Sequence, residues 1–127
     1  MIIGNGIDLV RVSRVETVFE KHGKRFASHV LHEKELPEFD KAPNPVRFLA
    51  KRFAVKEAAT KALGTGQAQS VLLRHFYVVH NEHGKPMLHA DSTAQEICNE
   101  LGVNAMHVSI SDEDEYAIAN VILERVP

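Results

Sequence analysis

Val46-Arg47-Phe48-Leu49-Ala50-Lys51-Arg52-Phe53-Ala54-Val55-Lys56-Glu57-Ala58-Ala59-Thr60-Lys61-Ala62-Leu63 reads as one long helix, and the rest of the chain is arranged around it. Apolar side chains recur at 48, 49, 53, 55, 59, 62 and 63, close to the 3.6-residue period, and alanines fill the remaining positions. Upstream, Ala42-Pro43-Asn44-Pro45 breaks any earlier helix. Downstream, Gly64-Thr65-Gly66 ends this one, glycine being the common residue just past a helix C-terminus.

Working outward to the N-terminus, Met1 to Val10 reads as a strand: Ile2, Ile3, Ile7, Leu9 and Val10 supply apolar bulk, and the glycines mark close backbone approach. Ser13-Arg14-Val15-Glu16 has the form of a capping box, which predicts a helix that carries Val15, Val18 and Phe19 inward and stops at Gly23. Arg14 and Lys21 then face solvent. Shorter helical pieces are expected over 26–30 and 33–39. Toward the C-terminus, a strand from Arg74 to His80, a turn Asn81–Lys85 and a return strand Pro86–His89 make a hairpin. Ser92-Thr93-Ala94-Gln95 is a second capping box, opening a helix that closes at Gly102, and strands 106–111 and 116–124 flank the acidic turn Asp112–Glu115. The order β-α-α-α-β-β-α-β-β predicts a single α+β domain over 1–127 with a mostly antiparallel sheet.

Composition narrows the class. With 127 residues and 44% hydrophobic content the chain builds one core of ordinary size, which excludes intrinsic disorder. A single cysteine, Cys98, excludes an internal disulfide and a cysteine-based zinc cluster, and points to a reducing, cytoplasmic setting. Neither a leader nor a run of about eighteen apolar residues is present, so secretion and membrane spanning are not expected. Net charge is −2, which argues against a nucleic-acid partner, yet it is unevenly spread. Residues 1–61 carry twelve Lys/Arg against eight Asp/Glu, whereas 62–127 carry three against nine. An anionic ligand or partner is therefore expected on the N-terminal half.

Two acids stand out. Asp8 interrupts an apolar strand, either as a buried ligand for a cation or simply as the acid that ends the strand. Glu57 is the only acid between Arg47 and Lys61, and taken alone it makes an ordinary helix-surface ion pair with Lys61, four residues on. Brought together in space, the two carboxylates would instead share one magnesium beside a phosphate ligand. No Walker loop or nucleophile elbow is present. His107 in its apolar strand reads as a structural histidine, Cys98 as core, and the pairs His29/His32 and His80/His83 as surface accidents.

Gly6-Ile7-Asp8-Leu9-Val10 and the run Phe48 to Gly66, with Gly84-Lys85-Pro86 and Met106-His107-Val108-Ser109-Ile110-Ser111, together resemble the bacterial holo-[acyl-carrier-protein] synthase family over essentially the whole chain. The resemblance implies transfer of 4′-phosphopantetheine from coenzyme A to a serine of apo-acyl carrier protein, in fatty acid biosynthesis, releasing adenosine 3′,5′-bisphosphate. It implies Asp8 and Glu57 as magnesium ligands and Lys61 beside the pyrophosphate. Arg52, Gly64, Thr65, Gly66, Lys85, Pro86 and His107 would lie around the nucleotide, and Arg14 and Arg25 would meet the carrier. The serine proton would pass to Glu57 or to a metal-bound water. A homotrimer with active sites between subunits is also implied. Strand 116–124, with bulk at 116, 118, 121, 122 and 123, fits such packing on both faces, unless helix 92–101 covers the second. A magnesium-dependent nucleotide pyrophosphate hydrolase and a non-catalytic coenzyme A-binding module are the competing readings. Both leave the basic surface at Arg14 and Arg25 unexplained.

Overall fold

A computed structural model describes residues 1–64 and 70–127. The helix read from the sequence is α4 (Pro45–Leu63), and it begins on a side-chain cap: Asn44 Oδ1 accepts from the Arg47 amide at 3.1 Å, with Pro45 in the first turn. It is buried on nearly every side, because it fills the space between a sheet and the other helices.

That sheet is three-stranded and antiparallel, in the order β1 (Ile2–Arg11), β5 (Tyr116–Glu124), β4 (Ala105–Asp112). Gly4, Gly6, Asp8 and Val10 pair across it with Leu123, Val121, Ala119 and Ala117 on one face. Met106, Val108 and Ile110 of β4 complete the same rows. This face packs on α4, so closely that a Cβ at Gly4 would lie 1.9 Å from the Ala62 carbonyl oxygen and one at Gly6 2.0 Å from that of Ala58. Only glycine lets the strand backbone lie directly against the helix backbone. The opposite face carries Ile7, Leu9 and Ile118, exposed at 57%, 61% and 36%.

Helices α1 (Val12–His22), α2 (Lys24–Val30) and α3 (Leu36–Asp40), with a 3₁₀ turn at Glu33–Glu35, wrap the other side of α4. Strands β2 (Phe76–His80) and β3 (Pro86–Ala90) form the expected hairpin as a separate two-stranded sheet, and β3 runs beside β4 without joining it. Helix α5 (Ser92–Leu101) buries Ala94, Ile97 and Cys98 and packs near residues 73–75, so it does not cover the outward face of the large sheet.

Local expectations fail at the helix starts. α1 follows β1 without a loop, Arg11 stands at its N-cap, and the Ser13 box does not form. α5 has Asp91, not Ser92, at its N-cap, and the Asp91 carboxylate is drawn away to His32 instead of to the helix amides. Residues 73–75 form a 3₁₀ turn, so the hairpin strand begins at Phe76 rather than Arg74.

Candidate active site

Alternation along β1 puts Asp8 on the helix side of the sheet, where its side chain is 16% exposed. From α4, Lys61 Nζ reaches across to donate to Asp8 Oδ1 and to the Ile7 carbonyl, both at 3.0 Å. The helix-surface pair of Lys61 with Glu57 is thus replaced by an ion pair between helix and strand. Glu57, one turn earlier, lines the same cavity of about 440 Å³ as Asp8, together with Arg11, Arg14, Val18, Phe26 and Phe53. Burial holds the Glu57 carboxyl above its ordinary range, the charge on Asp8 pushes it further up, and Lys61 opposes both.

This acid pair fits a hard divalent cation. Two carboxylates that repel one another in a half-buried cleft gain most from a positive ion between them. Among the described residues no group of three or more His, Cys, Asp or Glu could enclose a metal. The chain itself would therefore supply only the one or two carboxylates with which magnesium is commonly held when phosphate oxygens and water complete its shell.

Lys85, Pro86 and His107 are brought together elsewhere, along a cleft of about 630 Å³ between β3 and β4 that also touches Gln95 and Asn104. His107 is exposed and its Nε2 lies 2.9 Å from Glu124 Oε1. No residue lining this cleft also lines the Asp8–Glu57 cavity, so within one chain the two sets stay apart. Arg14 is exposed on α1, and Arg25 lines a shallow notch of about 270 Å³ with His22, Phe26 and His29. Gly64 is the left-handed residue that ends α4, at φ 77°. Thr65 and Gly66 lie outside the described residues.

Arg52 is placed differently from its sequence neighbours Lys51 and Phe53. Only 2% exposed, it stacks over the Phe48 ring at 4.5 Å, and its Nη2 donates to Glu38 Oε1 at 3.2 Å. Its Nε is 3.1 Å from Glu35 Oε2, close enough for ion pairing but with the N–H pointing off that oxygen. Arg52 therefore faces protein carboxylates, not either cleft. Lys56, fully buried, donates to the Val30 carbonyl at 2.6 Å and to Glu35 Oε1. Burial pushes its pKa down to about 8 against the opposing pull of Glu35. His32 is likewise no surface residue: it is 8% exposed, its Nδ1 accepts from the Lys34 amide at 3.0 Å, and its Nε2 meets Asp91 Oδ2 at 2.5 Å.

Several site residues were not visible in the sequence. Phe26 and Phe53 form the apolar floor beside the two acids. Behind Glu57 opens a further cavity of about 570 Å³ lined by His29, Thr60, Leu72 and Arg74. For Phe26, Phe53 and Thr60 the only sequence signal is helical spacing, which says that a side chain faces the interior but not that the interior is open there.

The 4′-phosphopantetheinyl transferase superfamily model matches residues 4–121. The chain is 49% identical over 123 residues to a holo-[acyl-carrier-protein] synthase of Hamiltonella defensa, covering 97% of this chain and 98% of that one. It is 47% identical over 125 residues to the synthase of that name from Vibrio cholerae, covering 98% and 99%. A crystal structure of the holo-[acyl-carrier-protein] synthase of Neisseria meningitidis superposes with a TM-score of 0.92 at 38% identity, over 98% of this chain and 100% of that one. A Bacillus anthracis synthase in complex with CoA (3′,5′-ADP) superposes at 0.82 with 33% identity, over 99% of each chain.

Proposed function

The chain belongs to the 4′-phosphopantetheinyl transferase superfamily, and we propose that it is a magnesium-dependent holo-[acyl-carrier-protein] synthase whose centre is Asp8, Glu57 and Lys61. It transfers 4′-phosphopantetheine from coenzyme A to a serine of apo-acyl carrier protein, giving holo-carrier and adenosine 3′,5′-bisphosphate. The observation that carries the assignment of the centre is the meeting of Asp8 and Glu57 at one cavity, with Lys61 on Asp8, in a chain that matches the family from residue 4 to residue 121.

In the reaction the serine oxygen bonds to the β-phosphorus of the coenzyme A pyrophosphate as the bond from that phosphorus to the bridging oxygen breaks. Adenosine 3′,5′-bisphosphate leaves with the bridging oxygen and its electron pair. Positioning and electrostatics do most of this work. Asp8 and Glu57 would hold the magnesium ion, which when bound draws charge from the pyrophosphate oxygens. Lys61, fixed by two contacts to β1, presents a positive charge to the departing phosphate. Glu57, on the cavity it shares with Asp8, is the protein group available to accept the serine proton. The apolar floor at Val18, Phe26 and Phe53 keeps bulk water from competing with the serine.

The basic residues Arg14 and Arg25 flank this cavity and its neighbouring notch, where they would meet an acidic carrier. Lys85, Pro86 and His107 would serve the nucleotide from a neighbouring subunit. The support for this is twofold: the two clefts are parted within one chain, and His107 stands on the outward sheet face, in register with Ile122 and Asn5. That face, with Ile7, Leu9 and Ile118 exposed, suits burial in a homotrimer. No described helix is long and apolar enough to cross a membrane. A carrier-modifying role in fatty acid biosynthesis in the cytoplasm accords with the lone buried thiol of Cys98.

The test is to incubate the protein with coenzyme A, magnesium and apo-acyl carrier protein and to weigh the carrier by mass spectrometry. The carrier is expected to gain one phosphopantetheine. Coenzyme A cleaved with the carrier unchanged would mean a hydrolase, and coenzyme A bound but intact would mean a binding module.

A further inference from the structure

Arg52 and Lys56, the chain neighbours of the cavity residues Phe53 and Glu57, belong to an ion-pair network that the transfer chemistry does not touch. Its hub is Glu35, 1% exposed in the 3₁₀ turn. Oε1 accepts from Lys56 Nζ and from the His32 amide at 3.0 Å, and Oε2 accepts from the Val78 amide at 3.0 Å and faces Arg52 Nε at 3.1 Å. Lys56 also donates to the last carbonyl of α2, at Val30. The carboxylate thus ties α4 to the turn and to β2, and Lys56 adds the tie to α2.

We infer that Glu35 is a positioning residue for Glu57: through Lys56 and Arg52 it fixes the rotation and axial setting of α4, and with them the aim of the Glu57 carboxylate toward Asp8. The inference rests on the transferase reading of that acid pair. Three observations carry it. First, α4 is lined by buried Ala50, Ala54, Ala58, Ala59 and Ala62. The larger buried side chains of the helix are Phe48, Leu49, Arg52, Val55, Lys56 and Leu63, so two of the six that fix its setting are held by Glu35. Second, Arg52 and Lys56 stand four apart on one ridge, and Lys56 is covalently next to Glu57, about 100° around the axis. Whatever holds Lys56 sets the direction of Glu57. Third, a buried ionic cluster gains little stability over apolar residues of similar volume. Its distinctive effect is to single out one arrangement.

The test measures manganese(II) binding by electron paramagnetic resonance in the presence of coenzyme A, alongside kcat and carrier KM. Wild type and Glu35→Gln are compared, with Asp8→Ala as control. Supporting groups behind metal ligands typically contribute 10–100-fold, so Glu35→Gln is expected to weaken manganese binding and lower kcat each by about tenfold while carrier KM stays within about twofold. Glu35→Asp, which keeps the charge, is expected to recover part of both. A Glu35→Gln protein that melts at lower temperature yet binds manganese and turns over as wild type would overturn the inference, since the network would then serve stability alone. If Glu35→Gln does not fold, the charge-free pair Glu35→Gln/Lys56→Met is read in its place. Failure of both to fold also assigns the network to stability and overturns it. A wild type that binds no manganese, or an Asp8→Ala protein that binds it equally well, overturns the reading of the acid pair itself and takes the inference with it.

Discussion

Asp8 and Glu57 are separated by forty-nine positions in the chain and by one cavity in the fold, and their mutual repulsion is the chemical signature of the site. Asp8→Ala and Glu57→Ala are each expected to lower transferase activity by about a hundredfold or more, with native circular dichroism, because each removes one of the two carboxylates that would hold the magnesium ion and no core contact. Wild-type turnover by either at limiting magnesium would refute the shared site. Burial of Glu57, with the Asp8 charge added to it, gives a pH dependence. Glu57 binds its proton more tightly folded than unfolded, so its contribution to stability is complete below the ordinary pKa of 4.5 and is lost as the pH rises through the elevated folded value. In metal-free protein, Glu57→Gln is expected to flatten that part of the melting-temperature profile. Parallel profiles for the two proteins would mean that neither burial nor Asp8 raises the Glu57 carboxyl. On the partner side, Arg14→Glu/Arg25→Glu is expected to raise carrier KM by about tenfold or more at low salt, with coenzyme A binding unchanged. Unchanged carrier kinetics would remove this surface from docking.

At the level of elements, the site depends on how closely β1 lies on α4. Gly6→Ala places a methyl 2.0 Å from the Ala58 carbonyl oxygen, a backbone atom that cannot swing aside. The strand must lift, and overpacking of this kind costs about 3 kcal/mol or more. The denaturant midpoint should fall accordingly, and kcat with it, because Asp8 sits two residues further along the same strand. Wild-type stability in this variant would show that the strand and helix can separate without loss. The elements themselves were largely legible: α4 from its apolar spacing, its breaker and Gly64, and the hairpin from its turn. The helix starts were not, because Ser13-x-x-Glu16 and Ser92-x-x-Gln95 carry the right letters without the right neighbours. Val12 donates to the Glu115 carbonyl across the molecule, and Asp91 is held by His32, fifty-nine residues away.

For the molecule as a whole, the large sheet has helices on one face and exposed Ile7, Leu9 and Ile118 on the other. Burying their exposed parts against a copy of the chain yields about half of the roughly 1.5–3 kcal/mol of a full burial for each, so the rest of the interface supplies the remainder of what association costs. Light scattering is expected to give the mass of three chains, and Ile7→Glu/Ile118→Glu to give one, with loss of activity as Lys85, Pro86 and His107 are parted from the neighbouring Asp8–Glu57 cavity. A wild-type mass of one chain with full activity on dilution would exclude an intersubunit site.

The amino-acid sequence by itself determined the α+β architecture, the central helix and the two acids worth watching, because periodicity, the breaker at 42–45, the glycine stop at Gly64 and a lone acid in an apolar strand are all local properties. Only the tertiary structure decided which charges meet. Lys61 leaves Glu57 for Asp8, and Arg52 and Lys56, indistinguishable in sequence from a solvated basic face, are buried around Glu35. The reason is that ion-pair partners are chosen by proximity in space, and Glu35 reaches Lys56 from twenty-one residues away only after α2, the turn and β2 have packed around α4.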